Sequence, residues 1–409
     1  MMITNLGDHN TQIDLIKQKV FHKEDSELFA DIQQNVLVSI KKESDILFAN
    51  LNKYHLFQEE EFHKYNSFYK NNIYNQLLNE LDLKHHYKYL TEEVIQIKGT
   101  IPAQDQAAIY CSFHFGSYVH AASALRMLNK DFSIVSKSTQ GENIVEWDVK
   151  LDEHGNKIEY FDAFKTIDPE AVDASFQIYN TLRNGKNVLI YLDRFNNTLE
   201  KTSKRSKIFE LLNSKMFITS GIPEISKKLN VPMIPLICER HQDTKIHATF
   251  YEAVFKADFS DKEYVKNAVQ KCVDAFAIHL ATHPEQWDHW PSIHNHLIKT
   301  SKAITQNKPI WKWFLSPFLK LKKKKQKISD TDIITFNKTN YEMFEREGDS
   351  FIININNYHC FKVSSHLMKI LTRISESGYK VGEVKSVLNA SLYADLFQKK
   401  VLQIENSAS

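Results

Sequence analysis

The sequence predicts an α/β fold, a mixed sheet flanked by helices, with a helical N-terminal region before it and a small C-terminal α+β domain after it. Three observations predict this order. From Ala107 onward, short β-rich runs alternate with amphipathic stretches, the grammar of an α/β domain. Before residue 100 the apolar residues fall at helical spacing, with no strand-like block. Beyond Asp330 two β-type runs about a polar turn precede two or three short helices.

Taken in order, residues 1–100 are polar, rich in Lys, Glu, Asn, His and Tyr, and carry the helical spacings Leu37–Ile40 and Leu47–Leu51. Residues 101–300 form the α/β domain. AAIYCSF (107–113) leads into the helical GSYVHAASALRML, and FSIVSK, NVLIYL and VPMIPLIC follow as strands, the last preceded by the helical TSGIPEISKKLN. IHATFYEAVF and the IEYFDAF run bring the sheet to at least five or six members, and the helix Tyr264–Thr282 closes the domain. Residues 301–329 read as a basic aromatic linker, with seven lysines and no acid between Ile310 and Lys327. Residues 330–409 form the last domain, in which strands flank a turn at Asn354–Tyr358 and HLMKILTRISESGYKVGEVKSVLNASLYADLFQKKV supplies the helices.

Composition bounds the function. The 409 residues are 42% hydrophobic, enough for a large core, and exclude global disorder. With 10 Gly and 9 Pro, collagen-like and low-complexity readings fail. The 52 Lys+Arg against 50 Asp+Glu leave a formal charge of +2. With no recognised module, and the basic run in a linker, a nucleic-acid partner is not expected. Cys111, Cys238, Cys272 and Cys360 lie far apart, three of them in apolar runs, as thiols of a reducing compartment do. The N-terminus lacks a signal-peptide pattern, and no run of about 18 apolar residues could span a bilayer. A cytoplasmic protein is expected, either soluble or peripheral on the inner face of the membrane.

The sharpest local feature is the strand AAIYCSF ending in His114-Phe115-Gly116-Ser117. A histidine at the C-terminal end of a strand, beside a glycine and helix N-terminal amides, stands where α/β sheets place reacting groups. Its chemical role would be general base. A strand-end histidine that only caps or packs is the alternative.

This segment resembles the late lipid A acyltransferases, the lauroyl and myristoyl transferases, whose motif is a strand followed by H-F-G-N-W-E. YLDRF at 191–195, the passage 208–240, IHATFYEAV and HPEQWDHWPSIHNHL are similar to further family stretches in the same order, over about 70–300. The resemblance implies a glycerolipid-acyltransferase-like fold. It also implies acyl transfer from an acyl-carrier-protein (acyl-ACP) or coenzyme A thioester (acyl-CoA), without bound cofactor or metal. The motif histidine would be the base, oriented by an acid five positions later.

That position is Val119 here. Either another carboxylate takes over, with Asp193 at its own strand end first and Glu146 and Asp148 after it, or acyl transfer is lost and the fold remains as a peptide- or lipid-binding protein. The resemblance places Gly116, Ser117, Lys137 and Arg240 at the substrate, with surface salt bridging the plainer reading of the two cations. Asn213 stands where the family prefers glycine. His120 is expected to pack rather than act in catalysis, and the histidine-rich arm (His283, His289, His294, His296) to pack rather than bind metal. The HxxxxD/E matches His55–Glu60 and His283–Asp288 follow no strand and are read as coincidence.

Two partners are expected beyond the thioester donor. Trp311, Trp313, Phe314 and Phe318 among the lysines of 310–327 could dock an anionic membrane surface, a route to membrane-lipid acylation by a peripheral enzyme. The last domain resembles the PqqD-type peptide-recognition domains, which implies a leader peptide added as a strand to a small sheet.

Overall fold

The computed structural model describes residues 43–59, 62, 67–85, 94–103, 106–136, 149–151, 157–160, 166–193, 206–241, 245–297, 328–346 and 348–405. Lys137, Glu146, Asp148, Glu60, Leu37, Ile40 and the linker lysines lie outside them. The chain divides into two compact units, Met1–Lys41 with Phe48–Ile298, and Lys42–Leu47 with Lys299–Ser409.

The first unit is a mixed α/β layer structure. Two helices, α1 (Glu43–Phe57) and α2 (Ser67–His85), precede strands β1 (Ile95–Gly99) and β2 (Ile109–Ser112). Then come α3 (His120–Met127), β3 (Phe132–Val135), β4 (Val149–Leu151), β5 (Lys157–Tyr160), β6 (Thr166–Ile167), α4 (Ala174–Arg183) and β7 (Asn187–Tyr191). A hairpin, β8 (Ser206–Leu211) and β9 (Ser214–Thr219), leads through α5 (Gly221–Leu229) to β10 (Met233–Arg240), β11 (Ile246–Phe250) and the long α6 (Tyr264–Thr282).

Seven strands make one sheet in the order β1-β11-β10-β2-β7-β3-β6. From β10 to β6 all neighbours are parallel, β11 is antiparallel to β10, and β1 runs with β11. The sheet is therefore mixed. Every residue of β2 and β3 is buried, because helices cover both faces of a parallel sheet and its strands must be apolar on both sides. Tyr110, Leu189, Ile234, Leu236 and Phe250 fill the core under α3. On α6, Val265, Val269, Cys272, Val273, Phe276 and Leu280 are buried, recurring every three or four residues.

Two details differ from the sequence reading. The IEYFDAF run yields β5, which among the described residues pairs with β4 in a two-stranded ribbon and not with the seven-stranded sheet. The sheet also begins at Ile95, inside the stretch read as helical, because Ile95 and Ile97 with their polar neighbours alternate as an outer strand does.

The second unit carries β12 (Ile333–Phe336), β13 (Tyr341–Arg346), β14 (Asp349–Asn354), β15 (Cys360–Val363), α7 (Ser365–Ser377), β16 (Tyr379–Lys380), α8 (Val381–Val387), α9 (Ala390–Gln398) and β17 (Leu402–Ile404). Its two three-stranded sheets, β13-β14-β15 and β16-β12-β17, enclose a core of Ile334, Phe336, Ile352, Leu371, Ile374 and Leu402 with the helices. The run read as one strand before Asn354 is a hairpin, since Gly348 takes a φ of +82° and turns the chain. No helix among the described residues is long and apolar enough to cross a membrane.

Candidate active site

β2 and β7 are adjacent parallel strands whose last register pair is Ser112 with Tyr191. Two residues beyond each lie His114 and Asp193, so one ladder delivers both side chains to the same edge. The Leu192 N–H donates to the Ser112 carbonyl at 2.9 Å and extends the ladder past the strands. Strand parity thus places the pair side by side, at the C-terminal edge where α/β sheets gather reacting groups.

The His114 Nδ1–H donates to Asp193 Oδ1 at 2.8 Å, and the His114 backbone N–H reaches both oxygens, at 3.1 and 2.9 Å. A carboxylate only accepts, so this bond puts the proton on Nδ1 and leaves Nε2 as the basic nitrogen. The Trp287 indole N–H donates to Asp193 Oδ2 at 2.8 Å. The Asp193 side chain is fully buried, while His114 keeps 21% of its exposure. Burial works to raise the Asp193 carboxyl, yet His114, the charge of His289 and the Trp287 hydrogen bond hold it below the usual carboxylate range. The His114 ring packs near Tyr118, Tyr191 and His289, with centroids 4.9, 4.8 and 4.9 Å away.

The loop after His114 is strapped to the arm 284–290. Phe115 and Trp287 form an antiparallel bridge, the Gly116 N–H donates to the Gln286 carbonyl at 2.8 Å, and the Asp288 N–H donates to the His114 carbonyl at 3.0 Å. Gly116 has a φ of +58°, and a Cβ there would sit 2.1 Å from the Cys238 carbonyl oxygen. Only glycine fits this turn. The Gln286 side chain accepts from the Arg240 N–H at 2.8 Å and donates to its carbonyl at 2.7 Å, tying the arm to β10.

Ser117 and Arg240, expected at the substrate, direct their polar side chains inward instead. Both donate to the buried Asp82 Oδ2 of α2, and Arg240 also donates to Asn79 Oδ1 at 3.3 Å. Burial opposes ionisation of Asp82, but Arg240, His120 and Ser117 carry its carboxyl well below the usual range. Arg240 is thus a buried ion-pair partner rather than a surface one. His120 is packed as expected, fully buried with Nδ1 3.1 Å from Ser123 Oγ and Nε2 3.8 Å from Asp82. Val119 is buried at the entry to α3. Asn213 lies at the β8–β9 turn, where its N–H donates to the Leu56 carbonyl at 3.3 Å. Of the coincidental matches, His283 pairs with Glu239 and Glu285, while Asp288 takes hydrogen bonds from Asn79.

Two features were not legible beforehand. On α2, Asn72 donates to the carbonyls of Glu285 and Trp287, Gln76 to that of Asp288 and Asn79 to the Asp288 carboxylate. With Asp82 these recur at helical spacing on one face, and amides standing where a solvated face carries Lys and Glu are the signal. Burial, against the counter-pull of His114, raises the Asp288 carboxyl to about 7.

The other feature is the place of His289, which was expected only to pack in its arm: its Nε2 lies 3.3 Å from His114 Nδ1 and 3.9 Å from Asp193 Oδ2. Although a quarter of its side chain is accessible, its packed surroundings push it down to about 4, against the pull of Asp193.

Residues 100–297 match the family model "Bacterial lipid A biosynthesis acyltransferase". No curated protein matches the chain. Among solved structures, it is similar to the crystal structure of the 1-acyl-sn-glycerophosphate (LPA) acyltransferase, PlsC, from Thermotoga maritima. That similarity has 14% identity over 56% of this chain and 89% of that one, with a TM-score of 0.29.

Proposed function

Residues 100–297 match the family model of the bacterial lipid A biosynthesis acyltransferases, and from that premise we propose that this chain moves an acyl group from an acyl-ACP or acyl-CoA thioester to a hydroxyl, amine or peptide acceptor, with His114 as general base. The observation that carries the reading is the His114–Asp193 pair, a partly exposed imidazole backed by a buried carboxylate. The acceptor's O–H or N–H proton passes to His114 Nε2 as its oxygen or nitrogen attacks the thioester carbonyl. The C–S bond then breaks, and the thiolate takes the proton back from the imidazolium. Asp193 is the positioning residue: it fixes the Nδ1–H tautomer and stabilises the imidazolium that forms. It supplies the carboxylate that Val119 cannot.

The reading of a peptide acceptor is supported by β15 of the second unit, an outer strand whose side chains alternate between exposed and half-buried and to which a peptide would add as a further strand. The test incubates the protein with acyl-ACP and acyl-CoA of several chain lengths, with and without candidate acceptors, and reads thiol release. His114→Ala and Asp193→Asn should each lower kcat about 10²–10⁴-fold with folding intact by circular dichroism. An unchanged rate in either variant overturns its assigned role. If no donor is turned over while a peptide or lipid binds tightly, the chain is a receptor instead.

A further inference from the structure

We propose that His114, His289 and Asp193 form a binding site for a divalent transition-metal ion of the zinc class, and that its occupancy switches off the proton transfer at His114. The binding rests on geometry alone; the switching rests on the function proposed above.

Three donor groups converge here. The two imidazole nitrogens and a carboxylate oxygen all lie within 4.8 Å of one another. His114 Nδ1 is 2.8 Å from Asp193 Oδ1 and 3.3 Å from His289 Nε2, which is 3.9 Å from Asp193 Oδ2. A tetrahedral ion with bonds of about 2.0–2.1 Å sets its ligand atoms about 3.3 Å apart; the two imidazole nitrogens stand 3.3 Å apart, and one Asp193 oxygen lies within 4.8 Å of both.

The ligand set selects the ion. Imidazole nitrogens suit Zn²⁺, Cu²⁺, Fe²⁺ and Ni²⁺, while Mg²⁺ and Ca²⁺ prefer all-oxygen shells. The carboxylate is already oriented, held by the Trp287 indole and the His114 backbone N–H, as second-shell donors orient metal ligands. His114 and His289 keep 21% and 25% of their side-chain exposure, so the site is reachable from solvent. A metal on Nδ1 forces the neutral ring's proton onto Nε2, the atom that must accept the acceptor's proton. The ring becomes a donor and the base is lost.

The experiment uses untagged full-length protein, with Zn²⁺ followed by equilibrium dialysis and Co²⁺ by visible absorption. One ion per chain is expected. His289→Gln and His114→Gln should each weaken binding by at least about 100-fold. His241→Gln and His283→Gln, at the separate histidine cluster around Glu239, should leave it unchanged. Acylated acceptor is then quantified by mass spectrometry, since zinc also binds released thiol, and read as the ratio of rates with and without Zn²⁺. The ratio should collapse for the wild type and stay near one for His289→Gln. No stoichiometric uptake, or uptake that survives His114→Gln and His289→Gln, overturns the site. Uptake without inhibition overturns the switch. Should ions bind through these residues while no donor is ever turned over, the proposed function fails and the metal site stands.

Discussion

At His114 a carboxylate, a second imidazole and two phenol rings meet one imidazole, and the chemistry turns on which nitrogen carries the proton. Asp193 decides it; His114 does most to hold that carboxyl below its usual range, and the Trp287 indole adds to this by donating to its second oxygen at 2.8 Å. Trp287→Phe should therefore raise the Asp193 pKa. A carboxyl held below its ordinary value stabilises the fold above that value, and this contribution fades as the pH falls through the folded pKa. Removing a donor moves that window upward. The acid limb of the kcat profile should shift to higher pH in Trp287→Phe, while His114→Ala leaves no limb to shift; an unmoved limb assigns Trp287 to packing alone. His114 and Asp193 were legible as a pair because each follows an apolar strand run by a fixed count. His289 was named only as a packing residue, since it arrives on an irregular arm with no periodicity to bring it to the pair.

At the scale of elements, inner strands and outer ones left different traces. β2, β3, β7 and β10 are apolar on both faces and stood out as runs; α6 announced itself by its buried positions every three or four residues. β1 and β5 alternate with polar residues and are short, so one passed as helix and the other as a member of the wrong sheet. The caps follow local chemistry closely. Ser364 opens α7 by accepting from the Leu367 N–H at 3.1 Å, and Asn389 opens α9 by accepting from Leu392 at 2.8 Å. Ser364→Ala should cost about 1 kcal/mol, read by hydrogen exchange as faster exchange of the first-turn amides of α7, with α9 unaffected.

At the scale of the first unit, the site is held by a frame of buried polar groups that join α2, β10 and the arm 284–290. Asp82 and Arg240 form its centre, with Asn72, Gln76 and Asn79 bonded to the arm. A buried pair contributes little beyond an apolar substitute, but half of one is costly. Arg240→Met should destabilise the protein by about 3–5 kcal/mol, because it leaves the Asp82 charge uncompensated, whereas Asp82→Leu with Arg240→Met should recover most of that loss. Thermal denaturation of the single and double variants measures the difference. The α/β order of this unit could be read in advance from its runs. Its polar frame could not, because each amide looks like a surface residue until the arm folds over it.

The bridge between Phe115 and Trp287 joins positions far apart in the chain, and this sets an order in time. During synthesis His114 and Asp193 leave the ribosome long before the tryptophan that holds the carboxylate. A nascent chain that has reached α6 can build the sheet and bring the pair together, yet the indole donor and His289 are still missing. The centre is completed only when the last turn of the unit emerges, so competence arrives as a final act of translation rather than growing with chain length.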